Sequence, residues 1–117
     1  MVSPVTTATE PPQIDVADAV SMLDQRARLL DVREDDEWHA GHAPNAEHRP
    51  LGLVDPGDYS AGDRIVVVCR SGNRSQKAAI ALRGAGVTVY NLDGGMKAWS
   101  QAGRPVVRDD GTPGVVA

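Results

Sequence analysis

A run of apolar, β-branched residues, Ile65-Val66-Val67-Val68, stops at Cys69 and gives way to the polar segment Arg70-Ser71-Gly72-Asn73-Arg74-Ser75. Beyond it the pattern becomes Gln76-Lys77-Ala78-Ala79-Ile80-Ala81-Leu82-Arg83. The first run reads as a short buried strand and the last as a packed helix. Cys69 therefore falls at the carboxyl end of a strand, against successive backbone N–H groups and a helix N-terminus. Those groups favour an anion, so a thiolate there is predicted to be stabilised and nucleophilic near neutral pH.

Similar units precede and follow it. Val16, Ala19, Val20 and Leu23 fall on one helical face, with Asp15 as a predicted N-cap. Leu29-Leu30-Asp31-Val32 reads as a strand, Glu34 to Ala40 as a short acidic-fronted helix stopped by Gly41, and Val87-Thr88-Val89-Tyr90 as another strand. Gly84 and Gly86 close the helix after Cys69, and Gly94-Gly95 turns into a last helix from Met96 to Gln101. Residues 42–63, with Pro44, Pro50 and Pro56, are the least regular. Strands alternating with helices at this spacing predict an α/β domain with a mainly parallel sheet and helices on both faces. Ligands then bind beyond the carboxyl ends of the strands, where Asp31-Val32-Arg33 and the Cys69 segment both lie. The expected organisation is a disordered lead-in over 1–12, one domain over 13–103, and a frayed C-terminal tail over 104–117.

Composition narrows the function. A net charge of −4 over 117 residues argues against a nucleic-acid-binding protein or a polybasic membrane contact. Neither a signal peptide nor a span long enough to cross a bilayer is evident. With one cysteine there is no internal disulfide and no Cys-x-x-Cys pair, which fits a reducing compartment; a cytoplasmic location is expected. Any covalent intermediate on Cys69 must then be resolved by another molecule.

The segment after Cys69 carries Arg70 and Arg74, with Gly72 to let the backbone curl. Inward N–H groups rimmed by guanidinium make a receptor for a small oxyanion or a charged sulfur species. Cys69 at its base is then a nucleophile beneath a bound electrophile. The alternative, a buried structural thiol, does not account for the Arg-Ser-Gly-Asn-Arg-Ser sequence that follows.

Four blocks in order resemble the single-domain rhodanese (thiosulfate sulfurtransferase) family. They are Leu30-Asp31-Val32-Arg33-Glu34; Glu37-Trp38 with Gly41-His42-Ala43-Pro44; Val67 to Ser75; and Asn91-Leu92-Asp93-Gly94-Gly95-Met96 with Ala98-Trp99. The resemblance covers about residues 13–103 and implies a rhodanese-like fold with a mainly parallel five-stranded sheet. It also implies that Cys69 takes the outer sulfur of a donor such as thiosulfate and becomes a persulfide. The persulfide would rest among the loop residues Arg70, Ser71, Gly72, Asn73, Arg74 and Ser75, and yield its sulfur to cyanide, a small thiol or a protein thiol. Arg70 and Arg74 would hold the anionic donor, while Asp31 and Arg33 would brace the loop. No cofactor or metal is implied.

Related phosphatases and arsenate reductases have one more residue between the nucleophile and the loop arginine, so the cradle from Cys69 to Arg74 is the smaller one associated with sulfur transfer. It also departs from the Cys-Gly-Ser-Gly type of mercaptopyruvate sulfurtransferases. Two alternatives stand beside the sulfurtransferase reading: a non-catalytic rhodanese-like binding or regulatory module, and an arsenate reductase or phosphatase-like enzyme. The first is disfavoured because Cys69 and the loop are kept, the second by loop length and the missing resolving thiol.

The remaining residues have simpler readings. Arg33 can pair with Glu37 at i, i+4, the ordinary alternative to a role at the loop. Trp99 is expected to pack near the site, and Trp38 to be core or subsurface. His39, His42 and His48 lack an evident fourth ligand, so no metal is expected; His42 matches a structural Gly-His-x-Pro turn. Two departures from the family pattern carry predictions. Asn45 replaces a glycine and must accept left-handed backbone angles. Glu47-His48-Arg49 replaces alternating apolar residues and predicts a strand that is short, at an edge, or turned toward the site.

Overall fold

Three apolar runs become the central neighbours of a sheet in the computed structural model of the chain, which describes residues 10–117. Strand β4 (Arg64–Val68) lies between β2 (Arg28–Asp31) and β5 (Thr88–Leu92). Two short strands flank them, β1 (Gln13–Ile14) beside β5 and β3 (Glu47–His48) beside β2, giving the order β1-β5-β4-β2-β3. Every pair is parallel, so the sheet expected to be mainly parallel is wholly so. Among the described residues the α-helices are α1 (Val16–Asp24), α2 (Asp35–Ala40), α3 (Asn73–Gly84) and α4 (Gly95–Gln101).

Strand alternation sorts the core into two layers. Leu30, Val32, Ile65, Val67, Cys69 and Val89 share one face with Ala78, Ala79 and Leu82 of α3. Leu29, Val66, Val68 and Leu92 share the other with Ala19 of α1 and Met96 and Trp99 of α4. Ile65 to Val68 are all inaccessible to solvent, and burying such side chains contributes roughly 1.5–3 kcal/mol each. The small residues of α3 let its axis approach the sheet closely, which brings its N-terminus over the end of β4.

Several local expectations have clear structural counterparts. The Asp15 carboxylate caps α1, accepting from the Asp18 N–H at 2.8 Å. Asn45 has φ +64°, in the left-handed region. The strand at Glu47–His48 is both short and at the sheet edge, where Glu47 reaches solvent and pairs with Arg28 at 2.7 Å.

Two boundaries differ. Helix α3 begins at Asn73 rather than Gln76, because Gly72 serves as its N-cap with φ +112°, a conformation glycine adopts without a Cβ penalty. The polar segment is thus half loop and half first helical turn. At the chain's start, residues 1–9 of the expected lead-in lie outside the described residues. Its end at Pro12 is tied to the sheet through the Asn91 N–H, 2.9 Å from the Pro12 carbonyl.

The frayed tail expected after Gly103 is instead a docked strap. Val107 exchanges two 2.8 Å backbone hydrogen bonds with His42, and the Val115 N–H donates to Ala40 O at 2.9 Å. A turn closed by Arg108 and Thr112 joins the two passes. Gly41 allows the contact: a Cβ there would lie 2.5 Å from Val115 O and 2.7 Å from a Val106 methyl. The strap satisfies backbone groups of the α2 exit that would otherwise need water or a cap.

Candidate functional site

The end of β4, the start of α3 and the start of α4 converge on Cys69. Its thiol is 1% exposed and receives two hydrogen bonds, from the Gly72 N–H at 3.1 Å and the Ser75 hydroxyl at 3.3 Å. Burial pushes the thiol's pKa upward. The Ser75 hydroxyl and the backbone amides of Ser75, Gly72 and Ser71 push it down, and together they win: the thiol titrates below its ordinary value. The sequence-predicted anion cradle is therefore built from main-chain donors and one buried serine.

Helix α4 holds the loop from the other side. The Met96 N–H donates to Cys69 O at 2.8 Å and the Lys97 N–H to Arg70 O at 3.1 Å. Gly95 makes this possible, since a Cβ there would sit 2.4 Å from Cys69 O and 2.6 Å from Arg70 O. Carbonyls of the loop thus point toward α4, leaving amides free to turn toward sulfur. The Gly94-Gly95 turn was legible in the sequence as a turn, but this partnership was not.

The two arginines arrive differently. Arg74, partly buried, is gripped by Glu37 of α2 in a two-pronged pair at 2.6 and 2.8 Å. The Arg74 contact holds the Glu37 carboxyl down to about 2, helped by the Glu34 N–H and opposed by partial burial. Arg70 is exposed and its Nε donates to Ala117 O of the strap at 2.9 Å. Sequence reasoning missed Glu37 as the partner of Arg74, offering Arg33 as its partner only as an alternative reading. Its signal lay in the spacing of Glu37 within the acidic block, which does not reveal a contact 37 residues away.

Asp31 and Arg33 are both fully buried and pair at 2.8 Å, with the Asp31 carboxylate also accepting from the Arg33 backbone N–H at 3.0 Å. The Arg33 guanidinium goes on to donate to Gly41 O at 2.7 Å. These bonds run to each other and to the Gly41 turn rather than to residues 70–75. Their link to the loop is indirect, through the α2 segment that carries Glu37. The charged Arg33 also helps keep Glu37 ionised.

The histidines form a separate cluster. Trp38 is sandwiched between His42 (ring centroids 3.6 Å apart) and His48 (4.7 Å). Asp109 of the strap accepts from the Trp38 indole at 3.1 Å and contacts His39 Nδ1 at 2.8 Å and His42 Nε2 at 3.0 Å. His42 is buried and its other nitrogen faces Ala43 O, which agrees with a structural part in the turn. Trp99 is buried on the α4 face, with its indole N–H on Pro105 O at 2.8 Å.

A parallel five-stranded sheet with a thiol cradled in a strand-to-helix loop defines a class, and comparison with known proteins places the chain in it. The family model for the rhodanese-like domain matches residues 15–102, and the chain belongs to that family. It is 36% identical to thiosulfate sulfurtransferase GlpE of Vibrio cholerae over 97 residues, covering 80% of this chain and 92% of that protein. It is 40% identical over 88 residues to the uncharacterized protein slr1261 of Synechocystis sp., covering 73% of this chain but 49% of that protein, so it spans about half of that relative's length. A crystal structure of a rhodanese-related protein from Thermoplasma volcanium superposes with a TM-score of 0.75 at 28% identity, covering 82% of this chain and 97% of that one. Residues after 102, the strap included, lie outside the family match.

Proposed function

We propose that this protein is a sulfurtransferase that carries sulfur on Cys69. The observation behind this reading is the donor set around the thiol: the Gly72 N–H, the Ser75 hydroxyl and the neighbouring amides favour a charged sulfur at that point. The Cys69 thiolate attacks the outer sulfur of thiosulfate, forming a new S–S bond while the donor's own S–S bond breaks and sulfite leaves with the electron pair. A persulfide donor reacts in the same way and leaves as a thiolate. The resulting Cys69 persulfide anion is held by the amides that held the thiolate, so the cradle serves both states.

Transfer reverses the geometry. A thiolate or cyanide attacks the terminal sulfur, takes it as a persulfide or thiocyanate, and returns Cys69 as the thiolate. No proton needs to move and no second cysteine is required, in keeping with the single cysteine of the chain. Arg70, exposed at the loop's edge, receives the anionic donor, and Arg74 closes the rim together with Glu37. The GlpE relative's name, thiosulfate sulfurtransferase, supports thiosulfate as a donor. A small thiol or a protein thiol is the proposed acceptor, in a reducing, cytoplasmic setting.

Intact-mass measurement after incubation with thiosulfate tests this directly. The wild type is expected to gain one sulfur atom and Cys69→Ser none, with cyanide-dependent thiocyanate release falling to background in the variant. A wild-type chain that gains no sulfur from thiosulfate or from a persulfide would sink the reading and favour a binding module.

A further inference from the structure

Strand β5 carries a buried polar side chain where its neighbours are apolar. Asn91 is 2% exposed and pairs in register with Val67 of β4, two residues before Cys69. By strand alternation it faces the α3 side of the sheet, the side of Val67, Val89 and Cys69. Its Nδ2 donates to Gly72 O at 3.1 Å and also meets Gln13 Oε1 at 2.9 Å and Gln76 Oε1 at 3.2 Å. Its Oδ1 is buried and has no partner among the described residues. An amide left half unpaired is a net cost to folding that an apolar residue would avoid. The paired half therefore indicates what the side chain does.

Gly72 is the residue most in need of an external clamp. It is the N-cap of α3, offers no side chain to cap with, and holds φ +112° and ψ −10°. Glycine has the widest choice of backbone angles, so its peptide groups turn most easily. Its carbonyl also accepts the Gln76 N–H at 3.2 Å, the first hydrogen bond of α3. Its own N–H donates to Cys69 Sγ at 3.1 Å.

We infer that Asn91 is a positioning residue for Cys69, fixing the Gly72 carbonyl so that the Gly72 N–H stays aimed at the sulfur. Asn91 touches neither the sulfur nor a substrate and acts through Gly72 alone. Without it, Gly72 O keeps only the Gln76 N–H, and the left-handed glycine conformation that links this carbonyl to the direction of the Gly72 N–H is held less firmly. The consequence falls on sulfur ionisation rather than on the fold. This inference rests on the proposed role of Cys69, but its readout needs no sulfur donor.

The test is the pH dependence of Cys69 alkylation by iodoacetamide in Asn91→Leu and Asn91→Ala, with thiolate ultraviolet absorbance as a second measure. The alkylation rate at neutral pH is expected to fall roughly three- to tenfold and its midpoint to move upward. The thermal unfolding midpoint of Asn91→Leu should be unchanged or higher, since the orphaned oxygen is gone. Asn91→Ala serves if the leucine variant does not fold. Gln13→Ala removes another partner of Asn91 but leaves the Gly72 bond, and should keep the wild-type profile. Superimposable profiles in a folded Asn91 variant would overturn the inference, as would an equal shift in Gln13→Ala. A wild type that takes no sulfur from thiosulfate, with the alkylation shift present, would count against the sulfurtransferase reading alone.

Discussion

The Cys69 loop and the C-terminal strap both lie against α2, but they are held in different ways. The loop is a main-chain device. The amides of Ser71, Gly72 and Ser75 face the thiol, and the carbonyls of Cys69 and Arg70 are taken by the Met96 and Lys97 amides of α4. The strap pairs backbone with His42 and Ala40, yet its anchor is a side chain: Asp109 gathers Trp38, His39 and His42 from 67 to 71 residues away. A device built mostly from main chain leans on few side chains, here Ser75 and Asn91, and fails when backbone space is taken. A side-chain anchor fails with one residue and leaves the sheet intact.

The sharpest way to break this contrast is at the glycines. Gly95→Ala puts a methyl within 2.4–2.6 Å of loop backbone that cannot swing aside. We expect a loss of about 3 kcal/mol in chemical denaturation together with slowed Cys69 alkylation. Near wild-type stability in that variant would show that the loop is not pinned by α4. Gly41→Ala intrudes on Val115 and Val106 instead and should displace the strap. A smaller loss, about 1 kcal/mol, is expected there, with new protease cleavage after Gly103.

Asp109→Ala should loosen the strap more gently. Limited proteolysis is expected to cut within residues 104–117 faster than in the wild type, with an unchanged Cys69 alkylation profile. A shifted profile would mean that the strap, through its contact with Arg70, belongs to the reactive site after all.

The smallest expected effect concerns Glu37. Its pKa is depressed from 4.5 to about 2 in the folded chain, first of all by Arg74. The stabilisation from this pair is complete above pH 4.5 and is lost as pH falls from there toward 2. Unfolding followed across that window should show a shallower decline in Glu37→Gln than in the wild type. Parallel curves would assign the acid sensitivity to other carboxylates.

Much of the site was legible because its signals are local. The run from Ile65 to Ser75 states a strand, a thiol, a turn and a helix start within one stretch, and backbone geometry does the rest. The left-handed turn at Asn45 and the short edge strand at Glu47–His48 were legible for the same reason: one residue type excludes the ordinary conformation. Glu37 with Arg74, Asn91 with Gly72, and Asp109 with the histidines were not legible. Each joins residues far apart in the chain, and each partner has an unremarkable local reading as a helix-start acid, a strand residue or a tail acid.

By itself the sequence determined the alternation of buried strands and packed helices and the place of Cys69 at the end of one of them. Hydrophobic periodicity and turn chemistry act over a few residues, and a few residues suffice to read them. Only the tertiary structure decided that Arg74 meets Glu37 rather than open solvent, that Asn91 reaches the cap of α3, and that residues 104–117 close onto α2. Those contacts depend on which strands lie side by side, and that order is settled by packing the whole sheet at once.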